Sequence, residues 1–261
     1  MTVATAETGQ LDIGKVIQDV FAVLGRNFVP FLALSAILAG IPAVLIGLIQ
    51  ASSLAAGLAP NPAAALASLP QVGLVGLVSL VAGLVLQGTI VYGAVSDMNG
   101  RHPTLSQCLS VGLNHFLGLF AIALLAGLAI FLGFMLLIVP GLMLWVAWSV
   151  VVPAYVAEQI PIMQTFGRSA DLTRGNRWRI FALFLVYLVA AIVVQIVVGA
   201  VGGIFSLGAP GTALAIRAVI VQPVISTLNA MIGATGAAVL YTELRRVREG
   251  VGPEALASVF D

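Results

Sequence analysis

Six long apolar segments, with almost no charge inside them, constrain this chain more than any other feature. A run of about 18 or more apolar residues is long enough to cross a bilayer as a helix. No segment has the alternation of apolar and polar residues that is typical of a membrane β-barrel. The predicted spans are Phe28–Ile49, Val72–Val95, Phe116–Val139, Leu142–Ala157, Ile180–Ile204 and Leu214–Tyr241. The sequence therefore predicts an all-α, polytopic integral membrane protein.

Composition supports this class. Apolar residues make up 61% of the 261 residues and charged residues 8%, against roughly 25% charged residues in soluble globular proteins. The net charge of +1 provides no field that would attract nucleic acid. The single cysteine, Cys108, excludes an intramolecular disulfide and any multi-cysteine metal motif. The first strongly apolar run begins at Phe28 with no cleavage site after it, so we expect a retained span.

The positive-inside rule predicts the orientation. With six spans, ten of the eleven cations fall on one side and only Arg217 falls on the other. Both termini are therefore predicted to be cytoplasmic, with a disordered segment 1–10, a membrane domain 11–249 and a cytoplasmic tail 250–261. If the short segment Leu142–Ala157 did not cross, the orientation of everything after it would reverse. The ten cations are Lys15, Arg26, Arg101, Arg168, Arg174, Arg177, Arg179, Arg245, Arg246 and Arg248.

A faint internal repeat divides the chain into three units. In each, a polar residue and an aromatic residue open an apolar run: Asn27-Phe28, His115-Phe116 and Arg177-Trp178. A shorter amphipathic segment precedes each pair, which predicts a helix lying in the headgroup zone with its apolar face in lipid. Loops ahead of any span often have the same composition, so chance similarity remains an equal interpretation.

The three amphipathic segments differ in how clearly an apolar face can be recognised. The second has Thr104 as a predicted N-cap after Pro103. The predicted apolar faces are Ile13, Val16, Ile17, Val20, Phe21 and Leu24 in the first segment, Leu105, Cys108 and Leu109 in the second, and Phe166 and Ala170 in the third. The third segment places Gln164, Arg168, Asp171 and Arg174 on its opposite face.

Local breakers and small residues predict how the spans pack. Pro42 predicts a kink in the first span, and Pro140-Gly141 predicts a tight turn between the third and fourth. Small residues spaced by four favour close helix–helix approach. These pairs are Ala36/Gly40, Ala43/Gly47, Ser79/Gly83, Ala123/Gly127, Ala129/Gly133 and Gly233/Ala237.

The basic segment between the fourth and fifth spans is the first candidate site. Arginine guanidinium groups match phosphate bidentately, and anionic lipids of the inner leaflet attract basic segments. The candidates for lipid-headgroup contacts are Arg168, Arg174, Arg177 and Arg179. A segment that only sets the topology would have the same composition, so both interpretations stay open.

The second candidate site is a set of uncharged polar residues inside the spans. Gln222, Ser226 and Asn229 share one face of the sixth span, and Gln87 and Gln195 lie in the second and fifth. They could hydrogen-bond across helices or line a polar groove. No Asp or Glu lies inside a predicted span, which argues against a proton or sodium relay.

Recognisable catalytic motifs are absent from the sequence, including G-x-S-x-G, H-E-x-x-H and the Walker A loop. His102 and His115 have no carboxylate cluster beside them in the sequence, so capping or interfacial roles are expected. We therefore expect no catalytic residue, no cofactor and no metal. The expected partners are membrane lipids, including anionic ones, and a membrane or cytoplasmic protein, but no nucleic acid.

Several stretches carry a family resemblance: residues 99–105, 137–142, 153–158, 168–178 and 241–250. They resemble the membrane domain that precedes the catalytic domain of some glycerophosphoryl diester phosphodiesterases and that also exists as stand-alone bacterial membrane proteins. The segment 255–261 is similar to proteobacterial members of the stand-alone type. In those enzymes a soluble barrel performs hydrolysis, and residues 1–261 contain no such barrel. The resemblance implies fold, a bacterial inner membrane and, by association, lipid. Glu243 departs from the family pattern, which usually has Asp at that position.

The leading hypothesis is a non-enzymatic inner-membrane protein that engages lipid or protein partners in envelope upkeep. One alternative is a lipid or amphiphile transporter with a polar groove near Gln222 and Asn229, whose replacement by leucine would then abolish transport without unfolding the protein. Another is a membrane subunit that anchors a separate soluble enzyme, which predicts stoichiometric co-purification.

Overall fold

The computed structural model describes residues 10–55, 62–204 and 215–250, and within them the chain is entirely helical apart from short connections. The side chains of 53–55, 62–68 and 201–204 are outside this description. The predicted segments 1–10 and 250–261 therefore lie almost wholly outside the described residues. The helices are α1 (Ile13–Arg26), α2 (Phe28–Ser35), α3 (Ile41–Ala55), α4 (Pro62–Met98), α5 (Leu105–Asn114), α6 (Phe116–Leu136), α7 (Ile138–Ala147), α8 (Val151–Glu158), α9 (Ile162–Thr173), α10 (Arg177–Ile204) and α11 (Gln222–Glu249).

Within the described residues, six segments are long and apolar enough to cross a membrane, which confirms the predicted all-α polytopic class. The fourth has 21 residues, against the 16 predicted, and is therefore as long as the third. In chain order, spans 1 to 6 are Phe28–Ser52, Leu69–Met98, Phe116–Leu136, Ile138–Glu158, Arg177–Ala200 and Arg217–Glu249.

Spans 2 and 6 form the centre of the bundle, and spans 3 and 5 lie at its edge. In the most apolar part of span 6, 50% of residues are buried, against 6% in span 5. Spans 2 and 6 are about 45 and 50 Å long at 1.5 Å per residue, whereas the hydrocarbon core is about 30 Å thick. Fully buried apolar side chains from these two spans are Ile90, Val91, Ala94, Ala238, Val239 and Leu244.

Two π-helical turns interrupt the spans, each just ahead of a proline. Ala36–Gly40 precedes Pro42 in span 1, and Arg217–Val221 precedes Pro223 in span 6. Proline has no N–H and its ring clashes with the carbonyl four residues earlier, so the preceding turn widens. The kink predicted at Pro42 is therefore a π turn immediately before it.

Spans 1 and 6 make their closest contact through glycines of span 1. A Cβ added to Gly40 would lie 2.8 Å from Oγ1 of Thr227, and one added to Gly47 would overlap the backbone of Ala218. These two glycines belong to the predicted small-residue pairs. By contrast, a Cβ on Gly83 or Gly127 would meet nothing within 4 Å, so those pairs make no such contact among the described residues.

The turn predicted at Pro140-Gly141 is wrong, because the break between spans 3 and 4 falls at Leu137. Leu137 has an extended backbone, with φ −161° and ψ 148°. Pro140 lies in the first turn of α7, where the missing N–H removes no helical hydrogen bond. A Cβ on Gly141 would lie 2.5 Å from Cγ of Phe134, so this glycine permits the close antiparallel packing of α6 and α7.

Span 4 is itself interrupted, at residues 148–150 between α7 and α8. The carbonyl of Ala147 accepts hydrogen bonds from the hydroxyls of Ser169 at 2.9 Å and Thr173 at 3.3 Å, both on α9. Backbone groups inside a membrane protein need such partners, because lipid provides none. The hydroxyl face of α9 therefore supports the broken span.

The amphipathic helices pack against the bundle more than the sequence predicted. On α1, Val16, Val20 and Val23 are buried, whereas Phe21 is 67% exposed. α1 lies against α11, so only part of its apolar surface remains for lipid. On α5, Cys108 is buried and Leu105 is exposed. The predicted apolar faces are therefore only partly correct, because the long central helices provide a competing protein surface.

Thr104 forms the predicted N-cap of α5. Its side chain accepts from the backbone N–H of Gln107, whose side chain accepts from the N–H of Thr104, which makes a capping box.

The junctions that open spans 1 and 3 have the same geometry. Asn27 and His115 each interrupt the helix and bond to the carbonyl four residues earlier, through Asn27 Nδ2 at 3.1 Å and His115 Nδ1 at 2.8 Å. The residue four positions later, Phe31 or Leu119, is buried in each case. This similarity favours a real internal repeat.

The third junction is shifted by one residue. The carbonyl of Asn176 accepts from the N–H of buried Ile180 at 2.9 Å, so the equivalent of Asn27 is Asn176 rather than Arg177. The side-chain oxygen of Asn176 also accepts from the N–H of Leu11 at 3.1 Å. The start of the described chain is thereby attached to the start of span 5.

Candidate functional site

Three acidic side chains lie at the ends of spans 2, 4 and 6 on the side that carries both ends of the described chain. We call this side the basic face, from its cations Lys15 and Arg26. Asp97, Glu158 and Glu243 are 2%, 16% and 7% exposed, and each forms an ion pair with a cation of another helix. Burying an unpaired carboxylate is unfavourable, so the stability of the fold depends on these cations at their observed positions.

Asp97, at the end of α4, is bound by the guanidinium of Arg26. Its Oδ2 accepts from Nη2 at 2.7 Å and from Nε at 3.0 Å. Nδ1 of His102 lies 3.7 Å from Oδ1, and this buried oxygen has no hydrogen-bond partner among the described residues. The pair joins the end of α1 to the end of span 2.

Glu243, on α11, has a structural role on the basic face. It pairs with Nζ of Lys15 at 3.3 Å and with Nη2 of Arg246 at 3.5 Å. The pair of Lys15 and Glu243 joins α1 to α11, which lie near opposite ends of the sequence.

Glu158 and Arg168 form the most connected group on this face. The Nε of Arg168 lies 2.9 Å from both carboxylate oxygens, and the hydroxyl of Tyr241 donates to Glu158 at 2.8 Å. Arg168 also contacts Glu249, which accepts from Nε of Arg245 at 2.8 Å. The hydrogen bonds to Glu158 raise the pKa of Arg168 above its ordinary value.

The four predicted headgroup arginines are thus in different situations. Arg168 is held by carboxylates, and Nη1 of Arg179 donates to the carbonyl of Leu11 at 2.8 Å. The side chain of Arg174 is exposed, and it has no hydrogen-bond or ion-pair partner among the described residues. Arg177 is half-buried, with an Nε that lacks a partner among the same residues. Arg174 is therefore the one of these four whose guanidinium is freest for a ligand.

Arg174 lines a cavity of about 570 Å³ between the end of α9 and the end of α11. Arg248 lies across it and donates through Nη2 to the carbonyl of Arg174 at 2.7 Å. Gly175, at φ +88°, makes the turn that carries Arg174 to this position. The lining residues are Arg168, Asp171, Leu172, Arg174, Gly175, Arg248 and Glu249. We call this cavity the Arg174–Arg248 pocket.

The Arg174–Arg248 pocket contains both signs of charge. Arg168 and Glu249 neutralise each other, which leaves Arg174 and Arg248 beside the exposed carboxylate of Asp171. Two guanidinium groups can bind a phosphate diester, and a carboxylate can bind an ammonium group. The pocket is therefore suited to a ligand with both groups.

The sequence did not identify Arg248 as a candidate site residue. It lies 74 residues from Arg174, in a basic run that also sets the orientation. Only the packing of α9 against α11 brings the two together.

The predicted polar-groove residues lie together on one face of α11. Gln222 is exposed, Ser226 and Asn229 are half-buried, and none forms a side-chain hydrogen bond within the described part of the chain. The same face continues to Gly233, where an added Cβ would lie 4.0 Å from the hydroxyl of Tyr187 in span 5. The groove residues therefore face span 5.

A second cavity, of about 400 Å³, lies where span 4 ends, and His115 and Tyr155 line it. Their rings meet edge to face, with centroids 5.6 Å apart. His115 also closes α5, a capping role like the one expected. Across residues 10–55, 62–204 and 215–250, no group of three or more His, Cys, Asp or Glu could hold a metal ion.

Comparisons with protein-family models, curated proteins and solved structures find no match to this chain.

Proposed function

We propose that this chain is a bacterial inner-membrane protein that binds a phospholipid headgroup in the Arg174–Arg248 pocket and serves envelope upkeep through this binding rather than through catalysis. The observation that carries the proposal is the pocket itself, which presents two arginines and one free carboxylate at the start of an apolar span. The exposed ring of Trp178, four residues from Arg174, is typical of the membrane–water interface.

The charges favour a zwitterionic headgroup of the phosphatidylethanolamine type. Its phosphate would bind Arg174 and Arg248, and its ammonium group would bind Asp171. Phosphatidylglycerol has the phosphate without the ammonium group and would leave Asp171 unpaired.

The cytoplasmic location of the basic face follows from the positive-inside rule. The family resemblance supports a bacterial inner membrane and an association with lipid. The chain would act there as a multi-pass protein whose pocket faces the inner leaflet.

The test is native mass spectrometry of the protein released from nanodiscs that contain equal amounts of phosphatidylethanolamine and phosphatidylglycerol. We expect the Arg174–Arg248 pocket of the parent to retain phosphatidylethanolamine in preference to phosphatidylglycerol. Arg174→Gln should lower that retention about tenfold, as expected for the loss of one charge-assisted hydrogen bond. Asp171→Asn should remove the preference for phosphatidylethanolamine.

Arg101→Gln is the matched control, because Arg101 is exposed and its side chain has no partner among the described residues. It should retain lipid like the parent. Equal retention of phosphatidylethanolamine by the parent and Arg174→Gln would contradict the proposal. A stoichiometric protein found in place of lipid would instead support the anchor-subunit alternative.

A further inference from the structure

The space between spans 5 and 6 is the most unusual feature of the membrane-spanning part. In its most apolar part span 5 is only 6% buried, and its backbone approaches the π turn Arg217–Val221 but makes almost no close approach to α11 in the described residues. Elsewhere span 5 packs against span 4, where the rings of Trp145 and Phe184 are tilted against each other with centroids 4.6 Å apart. Near its middle, the side chain of Tyr187 reaches towards Gly233. We call this space the span 5–6 gap.

The wall that α11 presents to this gap is polar. Gln222, Ser226 and Asn229 form no hydrogen bond with any described residue. An amide without a partner in hydrocarbon is strongly unfavourable, because lipid chains provide neither donors nor acceptors. A ligand with polar groups would satisfy these side chains.

The π turn at the start of span 6 adds a charge to the same wall. The N–H of Gln222 bonds to the carbonyl of Arg217, five residues earlier, so Arg217 lies about one turn before Gln222 on the helix. Arg217 is exposed, and no carboxylate pairs with it in the part of the chain that is described. From Arg217 to Asn229 the polar face extends about 18 Å along the axis, which is more than half of the hydrocarbon core.

We infer that the span 5–6 gap binds an anionic phospholipid of the leaflet opposite the basic face, with its phosphate at Arg217 and its glycerol and ester groups against Gln222, Ser226 and Asn229. Charge complementarity supports this occupant, because the gap contains one guanidinium and no carboxylate among its described residues. A second copy is a poorer occupant. A twofold axis along the membrane normal would place two Arg217 side chains at the same height and make them repel.

This site uses other residues and the other leaflet than the Arg174–Arg248 pocket, so it stands independently of the proposed function. It is tested in the same nanodiscs, by following phosphatidylglycerol. The parent should retain phosphatidylglycerol over phosphatidylethanolamine at this site, in addition to the lipid of the pocket. Arg217→Gln should lower phosphatidylglycerol retention about tenfold, and Arg217→Lys should preserve most of it.

Gln222→Leu and Asn229→Leu should also weaken retention, and Gln87→Leu is their control. Gln87 is an intramembrane amide on span 2, outside the gap. Thermal unfolding separates binding from folding: added phosphatidylglycerol should raise the midpoint of the parent but not that of Arg217→Gln. Arg174→Gln should lose phosphatidylethanolamine and keep phosphatidylglycerol. Arg217→Gln should lose phosphatidylglycerol and keep phosphatidylethanolamine.

Three outcomes would overturn the inference. They are equal retention of phosphatidylglycerol by the parent and Arg217→Gln, retention of a free fatty acid instead of a phospholipid, and a dimer that Gln222→Leu dissociates. The last outcome would assign the polar face to self-association.

Discussion

Asp97 and its partner Arg26 differ in how deeply their side chains are buried. The carboxylate is 2% exposed, whereas the guanidinium is 53% exposed. The buried acid therefore depends on the pair more than the base does, because the arginine keeps contact with water or headgroups when the acid is removed.

Replacement of Asp97 by asparagine should destabilise the protein by about 1–3 kcal/mol, because a buried charge-assisted hydrogen bond is lost. The midpoint of thermal unfolding in detergent is the measurement. Asp19→Asn, on α1, is the control, since Asp19 has no ion-pair partner among the described residues. An equal shift for both variants would show that the ion pair is not what holds α1 to span 2.

Cys108 gives a pH prediction. Burial raises the pKa of its thiol above the ordinary value. Because the thiolate is the reactive form, alkylation at pH 7–8 should be slower than for an exposed cysteine, and should accelerate only at higher pH. The rate can be followed by mass spectrometry against Ser110→Cys in a Cys108→Ala background. Ser110 is exposed on the same helix. Equal rates for the two thiols at pH 7 would contradict the burial.

At this scale, the sequence predicted residue types better than residue pairs. Asp97 and Glu158 lie just beyond the predicted ends of spans 2 and 4. The cations that bind them were assigned to topology or to lipid. Arg26 and Asp97 are 71 residues apart, and Lys15 and Glu243 belong to the first and last helices of the bundle. Such pairs depend on which helices become neighbours, and a single sequence contains no direct signal for that.

Among the helical elements, the contact between spans 1 and 6 is the most sensitive to side-chain size. Gly47→Leu should separate the two spans and destabilise the protein by about 1–3 kcal/mol or more, because the added side chain overlaps the backbone at Ala218. Gly76→Leu is the control, since a Cβ there would meet nothing within 4 Å. Thermal unfolding and yield of monodisperse protein measure the effect. A small effect of Gly47→Leu would contradict the close packing.

Predictions about elements succeeded where hydrophobicity decides the outcome. All six spans are present, because crossing a membrane depends on length and apolar content. The interruption at Pro42 was predicted, but those around span 4 were not: Pro140 continues a helix, and the breaks fall at Leu137 and at 148–150. Ser169 and Thr173, which support the second break, were also missed. Their hydroxyls are ordinary in an amphipathic segment, and only the fold brings them to Ala147.

For the whole molecule, the orientation in the membrane is the prediction to test. If the basic face is cytoplasmic, a membrane-impermeant maleimide should label Gln50→Cys in intact cells and Ser110→Cys only after permeabilisation, both in a Cys108→Ala background. Gln50 and Ser110 are exposed and lie at opposite ends of the bundle. Native Cys108 is a poor reporter because its burial also slows labelling. The opposite labelling pattern would place both termini outside.

The pairing of Lys15 with Glu243 has a consequence for the order in which native contacts form during biosynthesis. Lys15 leaves the ribosome 228 residues before Glu243, which corresponds to roughly 10–45 seconds at about 5–20 residues per second. During that interval Lys15 has no Glu243 partner, and α1 lacks the α11 surface against which it packs in the folded protein. The amphipathic face would lie in lipid at this stage, as the sequence pattern alone predicted. We therefore expect the arrival of α11 to complete the native contacts of the first helix.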